Sequence, residues 1–377
     1  MYMRITYIAN VRLPTEKAHG LQIMKMCEAF ARAGADVELV VPKRKNPLCG
    51  DPFMYYGVER SFRITTVFCL DVLWLPKIGF LIELVSFLCA SSVYAWGRNG
   101  TIYTREELAS LFFPGAFLEL HTLPAKLGWI RRALFKRARA LFVLTSFMKQ
   151  SLTEWGIEEN HVSVLPDGVD IASFDISVGK EEARARLSLP RDMNIVLYTG
   201  SFFLYPWKGV DVLLETARNY QLSIINYQKK ETLFLFVGGS EKEIAEVRKK
   251  YKTENVLLLG HQPHSDIPYY LKAADVLVLP NKSGYAMSEK HTSPLKLFEY
   301  MASGRPIISA DLPSLREILT EEEAVFFTPN NPDDLSRAIL EVLSDSVRAE
   351  RLARYARRKV EQYTWDKRAR KILSSCL

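Results

Sequence analysis

The chain has 377 residues, 48% hydrophobic and 25% charged, with a net charge of +7 and no low-complexity tract. That length exceeds one ordinary core and predicts two domains. The composition is that of a soluble globular protein and excludes disordered and fibrous classes. Positive charge is concentrated early: residues 1–150 hold 20 Lys and Arg against 11 Asp and Glu. Five cysteines (27, 49, 69, 89, 376) are odd in number and lack metal-ligand spacing, so they read as reduced thiols.

Residues 4–8 read as a strand entered without a signal peptide, 21–33 as a helix ended by Gly34, and 36–41 as the next strand. In the loop 10–20, Gly20 stands at the helix start, where backbone can approach a phosphate or sugar closely; plain loop punctuation fits equally well. No Gly-x-Gly-x-x-Gly occurs there, which argues against a nicotinamide or flavin site. Residues 78–96 are nearly long enough to span a bilayer, but Glu83, Ser86, Ser91 and Ser92 interrupt them. A buried or half-buried helix of an α/β layer is the better reading.

Strands at 102–104, 117–121, 140–144 and 162–165 continue the series. His121 ends one of them, a polar residue on the ligand side of a parallel sheet; a structural hydrogen bond is the alternative. Between 126 and 139, Arg131, Arg132, Lys136 and Arg137 interleave with Trp129, Ile130, Leu134 and Phe135. This pattern fits an anionic membrane surface or a solvated helix face. No zinc-finger, helix-turn-helix or RNA-binding signature points to nucleic acid.

A charged, strand-poor stretch at 180–191 precedes a second series at 194–198, 233–237, 256–259, 276–279, 306–308 and 324–327. Two doubly wound α/β halves are predicted, joined near 176–192, with ligands bound beyond the carboxyl ends of the strands in a cleft between the sheets. A charged helical run from about 347 to 377 closes the chain. Gly200 and Ser201 follow the first strand of the second half, and Gly238 follows the second. Lys208 precedes a helix against the dipole preference, which points to an anion. Asp275 reads as a cap or turn residue, and His161, His261 and His264 as surface or structural positions. Residues 293–305 describe one short helix with Pro294 at its start and Gly304 as a stop. Ser293, Pro294 and Leu295 form a phosphate-attracting mouth, and Glu299 is placed one turn further to hold a ribose.

Together these segments resemble the family 4 retaining glycosyltransferases of GT-B architecture (glycosyl transferases group 1). The resemblance rests on Ser-Pro-Leu-Lys-Leu-Phe-Glu-Tyr-Met-Ala at 293–302, Trp-Lys-Gly-Val-Asp at 207–211, Ala-Ala-Asp-Val at 273–276 and Pro-Asp-Gly-Val-Asp at 166–170. It implies two Rossmann-like domains, at 1–178 and 193–355, facing a cleft, with residues 356–377 crossing back to the first. It assigns Glu299 to the donor ribose, Lys208 to the leaving diphosphate, His121 to the donor sugar and Gly20 to the glycine loop. Two positions depart from the family pattern: His291 stands where the first acid of a Glu pair belongs, and Ser201 where an Arg is usual. The implied activity is metal-independent transfer of a sugar from a nucleoside diphosphate donor, a UDP-sugar first, to a lipid-linked or polysaccharide acceptor, without a cofactor. Its expected place is cytoplasmic, peripheral to the inner membrane face. A nucleotide-sugar epimerase, a phosphorylase and a catalytically weak nucleotide-sugar-binding protein are the competing readings.

Overall fold

The computed structural model describes residues 3–76, 78–203, 205–224, 231–251 and 254–376. Leu204 in the 200–207 loop and Leu377 in the tail lie outside the described residues. The chain divides into two compact units, one of residues 1–167 with 365–377, the other of residues 168–364.

The first unit is built on a seven-stranded sheet: β1 (Arg4–Ile8), β2 (Asp36–Pro42), β3 (Arg63–Val67), β4 (Thr101–Thr104), β5 (Phe117–Leu120), β6 (Ala140–Val143) and β7 (Val162–Val164). Every pairing is parallel, in the order β3-β2-β1-β4-β5-β6-β7. The reversal of strand order around β1 and β4 is the switch point at which such sheets bind ligands. The 4–8, 102–104 and 162–165 readings correspond to strands here, whereas β3 escaped the sequence reading. It is an edge strand of Arg-Ile-Thr-Thr-Val, only partly buried, so it lacks the apolar run of a central strand.

The Gly79–Ala95 helix covers part of this sheet. Glu83 is turned inward, 3.5 Å from Arg44 and bonded by Asn10 at 2.8 Å. Phe80, Leu81 and Val93 face outward. Among the described residues no helix is long and apolar enough to cross a membrane. Cys27, Cys49, Cys69 and Cys89 are all unbonded.

The second unit holds β8 (Asn194–Thr199), β9 (Thr232–Gly239), β10 (Val256–Gly260), β11 (Val276–Leu279), β12 (Ile307–Ala310) and β13 (Ala324–Phe327). They are also all parallel, in the order β10-β9-β8-β11-β12-β13. β8, β9, β11 and β12 are apolar almost throughout because both faces of the sheet are covered.

The division between units falls earlier than the join expected at 176–192. Residues 180–186 form a helix whose Arg184 is fully buried. Arg184 donates to the carbonyls of Ala273, Arg191 and Met193 and pairs with Asp275 at 2.6 Å. This clamp fastens the segment to the second sheet. Asp275 also accepts from Lys180 at 3.0 Å and from the Ile195 N–H at 2.7 Å, which ties the start of β8 to that of β11.

The charged tail is two helices rather than one continuous run. Ser346–Lys359 stays with the second unit, and Trp365–Cys376 packs on the first, beside the Ala18–Arg32 helix. Between them, Tyr363 and Thr364 run extended beside Val169, which breaks the helix. Arg368 anchors the last helix by a buried pair with Glu119 on β5, 3.0 Å apart.

Removing one member of a buried pair leaves the other charge uncompensated. Asp275→Ala should therefore destabilise the second unit by about 3 kcal/mol, read as a lowered urea midpoint for that unit.

Candidate functional site

The second unit carries a cradle at the carboxyl ends of β8 and β9. The Thr199 N–H donates to the Tyr300 hydroxyl at 2.8 Å, which fixes the end of β8 against the Leu295–Ser303 helix. Gly200 then turns at φ +124° and Gly238, on β9, at φ +115°, backbone conformations that side chains rarely adopt. A Cβ on Gly238 would come 3.0 Å from the Gly200 carbonyl oxygen. The floor of the cradle is therefore bare backbone.

Lys208 reaches this floor from a short 3-10 turn, Pro206–Lys208, that ends in Gly209. It is not in the first turn of the following helix, which begins at Val210. Its Nζ donates to Ser201 Oγ at 2.8 Å and sits 5.0 Å from the Tyr205 ring centre. Burial pushes its pKa down to about 8, with Glu243 pulling the other way.

The Leu295–Ser303 helix supplies the opposite wall. Pro294 precedes it in extended conformation as the N-cap residue and makes no side-chain cap bond. Thr292 and Ser293 are buried there. A helix start carries partial positive charge and backbone N–H donors suited to an anion. Glu299 accepts a hydrogen bond from the His264 ring at 3.0 Å, and that ring packs edge-on against Phe174. Just before the helix, His291 closes a π-helical turn, Met287–His291, where burial and then Lys290 depress its pKa.

Lys296 joins the two walls. Its Nζ lies 3.8 Å from the centre of the Tyr198 ring and 3.3 Å from where a Cβ on Gly200 would stand. Sequence reasoning missed Lys296 and read His264 as a surface or structural position. The signal for Lys296 was the one that singled out Glu299, a charged residue three positions away on a helix whose Leu297, Phe298 and Met301 are buried.

The sequence-predicted positions of the first unit form a separate group. His121 follows β5, and its ring bonds Glu119. Glu119 also accepts from the Tyr103 hydroxyl and, at 2.8 Å, from Gln22. Burial alone would raise the Glu119 pKa, but Arg368 and then His121 hold it well below the usual carboxylate range. Burial and then Arg105 lower the His121 pKa, against the pull of Glu119, which favours a neutral ring at pH 7. His121 lines a cavity of about 240 Å³ with Asn10, His19, Arg105 and Glu106. Burial, followed by Arg105, takes the His19 pKa down to about 4. This cavity is lined by neutral imidazoles, a guanidinium and the carboxyl groups of Glu106 and Glu107, donors and acceptors suited to sugar hydroxyls.

Gly20 lies in the first turn of the Ala18–Arg32 helix, where a Cβ would meet the Tyr56 hydroxyl at 2.2 Å and Thr15 Cγ2 at 2.6 Å. The Tyr56 hydroxyl donates to the Thr15 carbonyl at 2.8 Å and accepts from its N–H at 2.7 Å. The close neighbour of Gly20 is thus the protein's own loop.

Sequence comparison bears on these two groups of residues. A family described as Glycosyltransferase Family 4 matches residues 20–173, and one described as Glycosyl transferases group 1 matches residues 179–359. The chain belongs to the family 4 glycosyltransferases. It is 28% identical over 239 residues to a D-inositol 3-phosphate glycosyltransferase of Thermomonospora curvata, covering 60% of this chain and 53% of that protein. It is 26% identical over 215 residues to a phosphatidyl-myo-inositol mannosyltransferase of Mycobacterium tuberculosis, covering 55% and 52%. The chain thus spans about half the length of these curated relatives. Among solved structures, sucrose-phosphate synthase from Thermosynechococcus elongatus superposes with a TM-score of 0.77 at 20% identity, over 99% of this chain and 98% of that one. Anabaena HepE in complex with UDP-glucose gives 0.72 at 17% identity, over 99% and 100%. The fold is that of the GT-B glycosyltransferases.

The packing around Gly20 can be tested without any ligand. Gly20→Ala forces Tyr56 and Thr15 apart and should cost about 1–3 kcal/mol, the usual range for overpacking, seen as a lower melting temperature of the free protein.

Proposed function

We propose that this chain transfers a sugar, with retention, from a nucleoside diphosphate donor to a lipid-linked or polysaccharide acceptor. The observation that carries the reading is the desolvated Lys208 ammonium at the Gly200–Gly238 floor, in a unit whose Leu295–Ser303 helix begins after Pro294 without a side-chain cap bond from that residue. Such a floor lets phosphate oxygens come close to backbone. The ammonium and the helix N–H groups supply the positive potential that a departing diphosphate needs. Glu299, held by His264, is assigned to the ribose hydroxyls. A UDP-sugar is the first donor to try, because the HepE fold relatives were solved with UDP and UDP-glucose.

In the proposed reaction an acceptor hydroxyl attacks the anomeric carbon from the face the diphosphate leaves. The bond between that carbon and the phosphate oxygen breaks, and the released oxygen takes the acceptor's proton. No metal, cofactor or protein general base is assigned to the step. His121, beside its 240 Å³ cavity, is assigned to a sugar hydroxyl rather than to proton abstraction. The relatives named for inositol 3-phosphate and phosphatidyl-myo-inositol support trying a phosphorylated or lipid-linked acceptor first.

A peripheral site at the inner membrane face belongs to the same proposal, with contact through residues 126–139. At the start of the Trp129–Arg137 helix, Trp129 and Ile130 are 80% and 55% exposed. Arg131 on this helix is already paired, 2.8 Å from Glu107, so the exposed apolar pair makes the stronger case for contact.

A panel of UDP-, GDP- and ADP-sugars scored by thermal stabilisation tests the donor reading. The true donor at about a hundred times its dissociation constant adds roughly 2.7 kcal/mol, and stabilisation by none of them would reject it. Within the site, Glu299→Ala should weaken nucleotide binding by about tenfold. Lys208→Ala should lower kcat by about 100-fold while nucleoside monophosphate binding changes little. Transfer at full rate by both variants would remove these assignments.

A further inference from the structure

Lys296 occupies the second position of the Leu295–Ser303 helix, and its ammonium is shut off from solvent with no hydrogen-bond partner among the described residues. An ammonium carries three donors, and burying one without an acceptor is among the costlier things a fold can do. The Tyr198 face, 3.8 Å away, offers a cation–π contact but accepts no conventional hydrogen bond. Glu299, three residues on, is engaged with His264. Burial and then Lys208 hold the Lys296 pKa well below the usual lysine range, against a smaller pull from Glu299. A packing role alone would be filled better by a methionine or leucine.

We propose that Lys296 is the second cation of a diphosphate subsite, bridged to Lys208 by phosphate oxygens lying over Gly200. The geometry supports this. Gly200 has no side chain to block the approach, and Lys296 Nζ lies 3.3 Å from where a Cβ on Gly200 would stand. Lys208 reaches the next residue, donating to the Ser201 hydroxyl at 2.8 Å. The loop after β8 offers a serine at 201, so the helix supplies the second positive charge instead. The inference rests on the nucleoside diphosphate reading above and extends it to one further residue.

Lys296→Met keeps the length and apolar stem and removes the charge. Binding of UDP, GDP and ADP, with UMP, GMP and AMP as controls, is measured by titration calorimetry on the full chain. For whichever base binds, the variant should lose at least tenfold in diphosphate affinity and less than threefold in monophosphate affinity. Lys296→Arg should restore most of the difference. The ligand-free Lys296→Met protein should melt no lower than the unmodified chain, because the charge serves a ligand rather than the fold. If diphosphate binding is unchanged in Lys296→Met, the assignment fails while the donor reading stands. If the unmodified chain binds no nucleoside diphosphate, the donor reading itself fails. A Lys296→Met protein too unstable to purify would also overturn the assignment, by showing that the ammonium holds the helix in place.

Discussion

Two ammonium groups share the bare backbone around Gly200, and the serine hydroxyl at 201 is the acceptor that one of them uses. Like charges brought together out of water repel, and each raises the cost of keeping the other protonated. Burial pushes the pKa of both Lys208 and Lys296 below the lysine range, and at Lys296 the charge of Lys208 adds to it. A fold keeps such an arrangement when something else balances it, and perturbed lysines beside a glycine-lined floor are a recognised mark of a functional site. A diphosphate presents two adjacent anionic groups, which is why the proposed subsite sets one against these two ammoniums.

The rest of the second unit holds these two groups in position. The parallel sheet brings the ends of β8 and β9 together, and the positive φ of Gly200 and Gly238 lets the two loops touch. Tyr300, on the same helix as Lys296, accepts the Thr199 N–H and so fixes the helix to the strand end. At the amino-terminal ends of the strands, Asp275 gathers Arg184, Lys180 and the Ile195 N–H, which fastens the starts of β8 and β11. In the first unit a comparable buried network joins Glu119, Arg368, Tyr103 and His121. There the charges are paired, and the network ties the last helix to the sheet while it orients the His121 ring.

Much of this was legible in the sequence, for reasons tied to particular residues. Central strands such as β8 and β11 are apolar runs bounded by turn residues, and buried parallel strands have to read that way. The edge strand β3 was missed because two threonines and an arginine interrupt it. The helix at 295–303 was legible from Pro294, its apolar spacing and Gly304. Lys296 was not, because nothing in a linear pattern tells an ammonium directed to solvent from one folded over a tyrosine 98 positions earlier. The unit boundary was misplaced for a similar reason: the charged segment 180–186 looks like a linker, yet Arg184 is among the most buried side chains of the protein. At Gly20 an added Cβ would meet the Tyr56 hydroxyl, a contact that no linear pattern announces.

The proposed subsite sets a diphosphate against Lys208 and Lys296, whose pKa values burial lowers. It is tested most directly by the proton balance of binding. Calorimetric titration with UDP at pH 8, in buffers of differing ionisation enthalpy, gives the number of protons exchanged. An incoming anion favours the charged form of both ammoniums, so binding should take up protons from the buffer, and Lys208→Gln or Lys296→Met should reduce the uptake. Binding with no proton exchange, or with release, would contradict the account.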